Sequence, residues 1–202
     1  MSAAAPASRD AADSSPFVGL RPFERSDEWR FFGRDRDATL LCDKILGARL
    51  TLFYAQSGLG KSSLLRTLVI PALENEDCLV VYHDAWTMEQ PAAALNAAIA
   101  AASNLPAAGG TLLETARAAQ AAVPDRTLVL LLDQFEEFLI SHPQRLDPLR
   151  GELGALARAR DLDMRIVLSL REELLAALDP FRHAVGDLYQ STYRLEPLSA
   201  AA

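Results

Sequence analysis

The sequence predicts an α/β fold, a three-layer sandwich with a mainly parallel sheet. Short apolar runs at residues 50–54, 79–82, 127–132 and 164–170 alternate with longer stretches whose apolar residues recur at helical spacing. That alternation is the pattern of a sheet covered by helices. In the run TLVLLL at 127–132 the five residues after Thr127 are apolar without a break. A strand with one solvated face would alternate, so this one is buried on both faces, as in a parallel sheet.

Residues 1–15 are rich in Ala, Ser, Pro and Asp and read as a disordered tail, leaving 16–202 as one domain. Order is expected from Pro16, because Phe17, Phe23, Trp29, Phe31 and Phe32 carry more apolar bulk than a free tail. Residues 35–46 set Ala38, Leu41, Cys42, Ile45 and Leu46 at helical spacing, closed by Gly47. The strand at 50–54 breaks into the loop 55–60, and a helix opens at Lys61 and is expected to end near Pro71. The strand at 79–82 ends at His83-Asp84. Helices at 90–104 and 111–122 are separated by Pro106 and Gly109-Gly110. After the strand at 127–132 come helices at 135–140 and 147–160, a strand at 164–170, a helix at 171–178 and a last strand at 192–195. Ligands of parallel sheets bind beyond the carboxyl ends of the strands. The loop from Ala55, Asp133 and Arg171 each follow a strand directly, so they are expected on one edge.

A chain of 202 residues is long enough to bury one full-sized core. Its 27 acidic and 20 basic residues leave a formal charge of −7, with no Lys/Arg stripe, which argues against nucleic-acid binding by electrostatics. Cys42 and Cys78 fit no metal or redox spacing and read as buried hydrophobes of a reducing compartment, the cytoplasm. No apolar run reaches membrane-spanning length and the first residues lack the apolar core of a signal peptide. His83, His142 and His183 have no ligand spacing.

The loop Gln56-Ser57-Gly58-Leu59-Gly60 followed by Lys61-Ser62-Ser63 has the layout of a phosphate-binding P-loop: strand, glycine-containing turn, Gly-Lys-Ser, helix. Backbone N–H groups from Ser57 to Ser63 converge on an anion, and the helix start adds its positive dipole end. Lys61 reaches the β- and γ-phosphates and the Ser62 hydroxyl completes a Mg²⁺ shell. The first glycine of the full pattern is Ala55 here, which fits only where no positive φ is needed. Asp133, directly after an apolar run, is in the Walker-B arrangement for holding Mg²⁺, though Asp also caps helices well. Gln134 can orient water but cannot accept its proton. Glu136 and Glu137, one turn on, are the candidate bases, or simply acids suited to a first helical turn. Arg171 can contact a γ-phosphate or form a salt bridge with Glu172 or Glu173.

These pieces together resemble the novel STAND type (prokaryotic, type 1) of P-loop ATPases. The marks are GLRPF (19–23), FFGRDRD (31–37), SGLGKSSLLR (57–66), LLLDQFEEF (130–138), VLSLREELL (167–175) and YRLEPLS (193–199), in the family's order. The resemblance implies ATP rather than GTP, in keeping with the absence of an Asn-Lys-x-Asp signature. It implies that Gly33 and Arg34 approach adenine and that Arg171 is a sensor arginine after the fourth strand. It also implies a nucleotide-controlled switch in bacterial signalling or defence, with self-association and contacts to sensor and effector domains. Such proteins continue past YRLEPLS into a lid, so this chain is expected to be either a truncated nucleotide-binding core without its C-terminal lid or winged-helix part, or a short stand-alone relative. The function expected is Mg·ATP binding with slow hydrolysis. The rivals are a nucleotide-binding interaction module without turnover and a small-metabolite phosphotransferase.

Overall fold

The computed structural model describes residues 33–106, 109–142 and 146–198. The tail at 1–15, the aromatic stretch 17–32 and the GLRPF motif lie outside the described residues.

Five strands form one sheet: β1 (Leu50–Ala55), β2 (Cys78–His83), β3 (Thr127–Leu132), β4 (Met164–Arg171) and β5 (Thr192–Arg194). Their order is β2-β3-β4-β1-β5 and every pairing is parallel. β4 therefore stands between the strand that delivers the glycine loop and the strand that ends at Asp133.

The unbroken apolar run of β3 is explained by its two buried faces. Leu128, Leu130 and Leu132 belong to one core, and Val129 and Leu131 to another, as the two-residue period of a strand dictates. On the first face lie α4 (Pro91–Ala102), α5 (Leu112–Ala122), α6 (Phe135–Ser141), α7 (Leu146–Arg158) and α8 (Asp179–Val185). On the second lie α1 (Asp35–Gly47) and the helical rod after the loop. The three-layer sandwich expected from the sequence is the observed fold.

The rod after the loop has three parts: α2 (Lys61–Leu64), a π-helical turn (Leu65–Val69) and α3 (Ile70–Asn75). It does not stop at Pro71, contrary to expectation. In the wide turn the Ile70 N–H reaches back five residues to the Leu65 carbonyl, which opens the ladder just where a proline has no N–H and crowds the carbonyl four residues back. The expected helix at 171–178 is a 3₁₀ helix (Glu172–Leu178), and α8 after it was not foreseen.

At the opposite pole from the strand carboxyl ends, Arg49 precedes β1. Its guanidinium donates to the carbonyls of Ala159 (2.6 Å), Leu162 (2.6 Å), Leu156 (2.7 Å) and Met164 (3.1 Å). The last carbonyls of α7 have no helical partner, and one cation here serves the end of α7, the turn after it and the start of β4.

Candidate functional site

Ala55 ends β1 in extended conformation, paired with Arg171 of β4. The first position of the phosphate-loop pattern thus needs no positive φ, and alanine fits. Gly58 and Gly60 adopt φ of +82° and +86°, where a residue without Cβ is at ease. The Gly60 carbonyl accepts from the Leu64 N–H at 2.8 Å. Ser57 and Gly58 are exposed and Leu59 and Gly60 half-exposed. Lys61 and Ser62 stand at the start of the rod, where a helix offers an N–H no carbonyl four residues back.

Lys61 is half-buried. Burial pulls its ammonium below the ordinary lysine range, while the nearby carboxylates of Glu136 and Asp133 work against that shift. Arg34, 5% exposed, donates to Asp37 Oδ2 (2.8 Å) and the Glu196 carbonyl (2.8 Å), with the Leu59 carbonyl at 3.5 Å. It braces the loop against the chain after β5. Gly33 beside it has a φ of +77°.

Asp133 is fully buried and anchored on every side. Tyr82 OH donates to Oδ2 at 2.7 Å and Ser169 OH to Oδ1 at 2.6 Å. The Trp86 indole N–H donates to the Asp133 carbonyl at 2.6 Å, and the Asp133 N–H to the His83 carbonyl at 2.9 Å. Sequence reasoning missed Tyr82, Trp86 and Ser169. The one available signal was a lone hydroxyl inside the apolar run of β4.

Gln134 turns the chain from β3 into α6 in the left-handed region, φ +51° and ψ 37°. That conformation costs a residue with a Cβ about 1 kcal/mol. The turn aims Glu136, 4% exposed, back at the edge. Its Oε1 lies 3.2 Å from Arg171 Nε, and its Oε2 is buried without a hydrogen-bond partner among the described residues. Burial lifts the Glu136 carboxyl above the usual carboxylate range, against a backbone hydrogen bond, Lys61 and Arg171. Glu137 is half-exposed and takes no part in this ion pair. Arg171, with half its side chain exposed, pairs with Glu136 rather than with Glu172 or Glu173.

The candidate donors are hard oxygens, which suit hard divalent cations. Ser62 and Asp133 offer hard oxygens, and no group of three or more His, Cys, Asp or Glu that could hold a metal occurs among the described residues. A Mg²⁺ ion, which keeps waters and takes one or two protein oxygens plus phosphates, fits such a site. The buried Glu136 Oε2, three residues beyond Asp133, has no hydrogen-bond partner among the described residues. No helix of the described residues is long and apolar enough to cross a membrane.

A glycine loop feeding a helix start, facing a buried aspartate across one edge of a parallel sheet, defines an α/β P-loop NTPase core. The profile of the Novel STAND NTPase 1 family matches residues 16–202, and the chain belongs to that family. Among solved structures, a Walker-type ATPase of Pyrococcus abyssi superposes with a TM-score of 0.62 at 18% identity, covering 91% of this chain and 58% of that one. The ORC2 protein of Aeropyrum pernix in its ADP form follows with 0.57 at 19% identity, covering 80% of this chain and 46% of that one. At these identities the likeness is one of fold. The chain spans about half the length of each. No curated protein matches it.

Proposed function

We propose that this domain binds Mg·ATP and hydrolyses it slowly, as the nucleotide-controlled switch of a larger cytoplasmic signalling or defence protein. The observation that carries the reading is the arrangement at the sheet edge: a loop with Gly58 and Gly60 at positive φ leads from β1 to Lys61 at the head of the rod, and the buried Asp133 directly follows β3. In this reading the N–H groups of Ser57 to Ser63 hold phosphates, and Lys61 spans the β- and γ-phosphates. Ser62 and Asp133 hold Mg²⁺, which when bound neutralises charge on the phosphates. Arg171 senses the γ-phosphate; Glu136, with its raised proton affinity, takes the proton of a water that Gln134 orients. The segment at Gly33 and Arg34, tied to the loop through Leu59, borders the base. ADP and ATP are the ligands, and sensor, effector and further copies of the chain are the partners. The strongly acidic balance speaks against nucleic acid.

A second reading is favoured by the Glu136–Arg171 ion pair. With the candidate base tied up and Gln134 unable to accept a proton, the domain exchanges nucleotides without turning them over. ATP binding to the purified chain with Mg²⁺, beside Lys61→Ala, followed by single-turnover hydrolysis beside Asp133→Ala and Glu136→Gln, separates the two. Binding lost in Lys61→Ala and slow turnover lost in Asp133→Ala support the switch. Tight binding with no turnover supports the exchange module, and no binding refutes both.

A further inference from the structure

We propose that Tyr82 is a positioning residue for the cation-holding carboxylate of Asp133, and that it ties this carboxylate to the helical rod behind the phosphate loop through Arg66. The inference rests on the reading of the site just given and adds a residue set that its roles leave unused.

Tyr82 is the fifth residue of β2, in register with Leu131 of β3, two positions before Asp133. Its hydroxyl reaches Asp133 Oδ2 at 2.7 Å, while Ser169 from the other neighbouring strand reaches Oδ1 at 2.6 Å. Each carboxylate oxygen has about two lone pairs. With one on each oxygen accepting from a hydroxyl, the plane of the carboxylate is fixed and the remaining lone pairs point in set directions. A cation met by such a group meets it already aimed, and outer partners of this kind commonly carry a large part of metal affinity.

The other side of Tyr82 meets the rod. The Arg66 guanidinium carbon lies 4.6 Å from the Tyr82 ring centroid, over its face. Arg66 Nη2 donates to Asp84 Oδ2 at 2.6 Å, and Tyr82 OH lies 3.4 Å from the same oxygen. Arg66 belongs to the π-helical turn, five residues beyond Lys61. The chain Lys61–rod–Arg66–Tyr82–Asp133 therefore joins the phosphate side of the site to its metal side without passing through the ligand. It also accounts for Arg66 in the SGLGKSSLLR motif, which contacts none of the proposed ligand groups.

The test is Mg²⁺ dependence. In a Trp29→Phe background Trp86, whose indole bonds the Asp133 carbonyl, is the only tryptophan and its fluorescence reports on that segment. A non-hydrolysable ATP analogue is titrated by calorimetry in EDTA and at graded Mg²⁺, with Trp86 emission followed in parallel. Tyr82→Phe keeps the ring and removes only the hydroxyl. It is expected to raise the Mg²⁺ midpoint roughly tenfold, with analogue affinity in EDTA unchanged. Arg66→Met is expected to raise the midpoint about two- to fivefold, the effect of losing the cation–π contact together with the Asp84 ion pair. An unchanged midpoint in Tyr82→Phe overturns the proposal, as does an equal loss of affinity with and without Mg²⁺, which would mark a merely structural role. A parent protein whose affinity ignores Mg²⁺, or a Lys61→Ala variant that binds as well as the parent, refutes the reading of the site and this inference together. A Mg²⁺-responsive parent with an unmoved Tyr82→Phe sinks the inference alone.

Discussion

Replacing Arg49 by methionine keeps the length of the side chain and removes every donor. Four backbone carbonyls, of Leu156, Ala159, Leu162 and Met164, then lose their cation. Hydrogen bonds to a charged group contribute about 1.5–3 kcal/mol each, so four set a ceiling of about 6–12 kcal/mol. The true loss is smaller, because Arg49 is half-exposed and water can reach part of the vacated space. The expected loss is about 2–4 kcal/mol. In a domain of this size each kcal/mol moves the melting temperature by about 2–4 °C, which places Arg49→Met about 5–15 °C below the parent. Arg49→Lys restores the charge but not the fork of donors, and recovers less than half. Urea denaturation followed by circular dichroism gives the free-energy loss, and a thermal melt of the same variants gives the temperature shift. A loss under about 0.5 kcal/mol for Arg49→Met would refute the view that this guanidinium holds the end of α7 to the sheet.

Three further outcomes are expected. Gln134→Val lowers stability by about 1–2 kcal/mol, since a β-branched residue resists the left-handed region, whereas Gln134→Gly is neutral or stabilising; thermal melts of both variants check this. His83 is held below its ordinary pKa by burial, with Asp84 opposing, so the unfolded chain takes up a proton near pH 6.5 that the fold refuses. Stability from this residue is full above that pH and falls as the pH drops below it; His83→Phe flattens the urea midpoint between pH 7.5 and 5.5 relative to the parent. Thr111 accepts from the Glu114 N–H at 3.2 Å and Glu114 Oε2 accepts from the Thr111 N–H at 2.9 Å, a capping box that starts α5; Thr111→Ala costs about 1 kcal/mol in the same assay.

The elements most legible in the sequence were those whose pattern has one physical cause. The short apolar run at 127–132 points to a doubly buried strand, and β3 occupies those residues. Asp133, Arg171 and the loop at Ala55 come to one edge because all three stand at the carboxyl ends of parallel strands. Pro71 misled because a proline forbids only the normal ladder, and a widened turn before it lets the rod continue. Glu136 and Glu137 were indistinguishable as letters. Adjacent helical residues project about 100° apart, and only the observed turn at Gln134 decides which of them faces Arg171. Tyr82 and Trp86 were hidden because their partner lies some fifty positions away, joined by sheet order rather than by spacing.

The strand order has a metric consequence. Parallel neighbours lie about 4.8 Å apart, and β4 stands between β1 and β3, so the glycine loop and Asp133 are launched from rails two spacings apart, about 10 Å. Backbone hydrogen bonds set that gauge, and side chains do not. Substitutions at Lys61, Asp133 or Glu136 therefore change side chains at this edge, while the width of the gap stays with the ladder. Arg171, the last residue of the middle rail, stands between the two at the carboxyl end of the sheet.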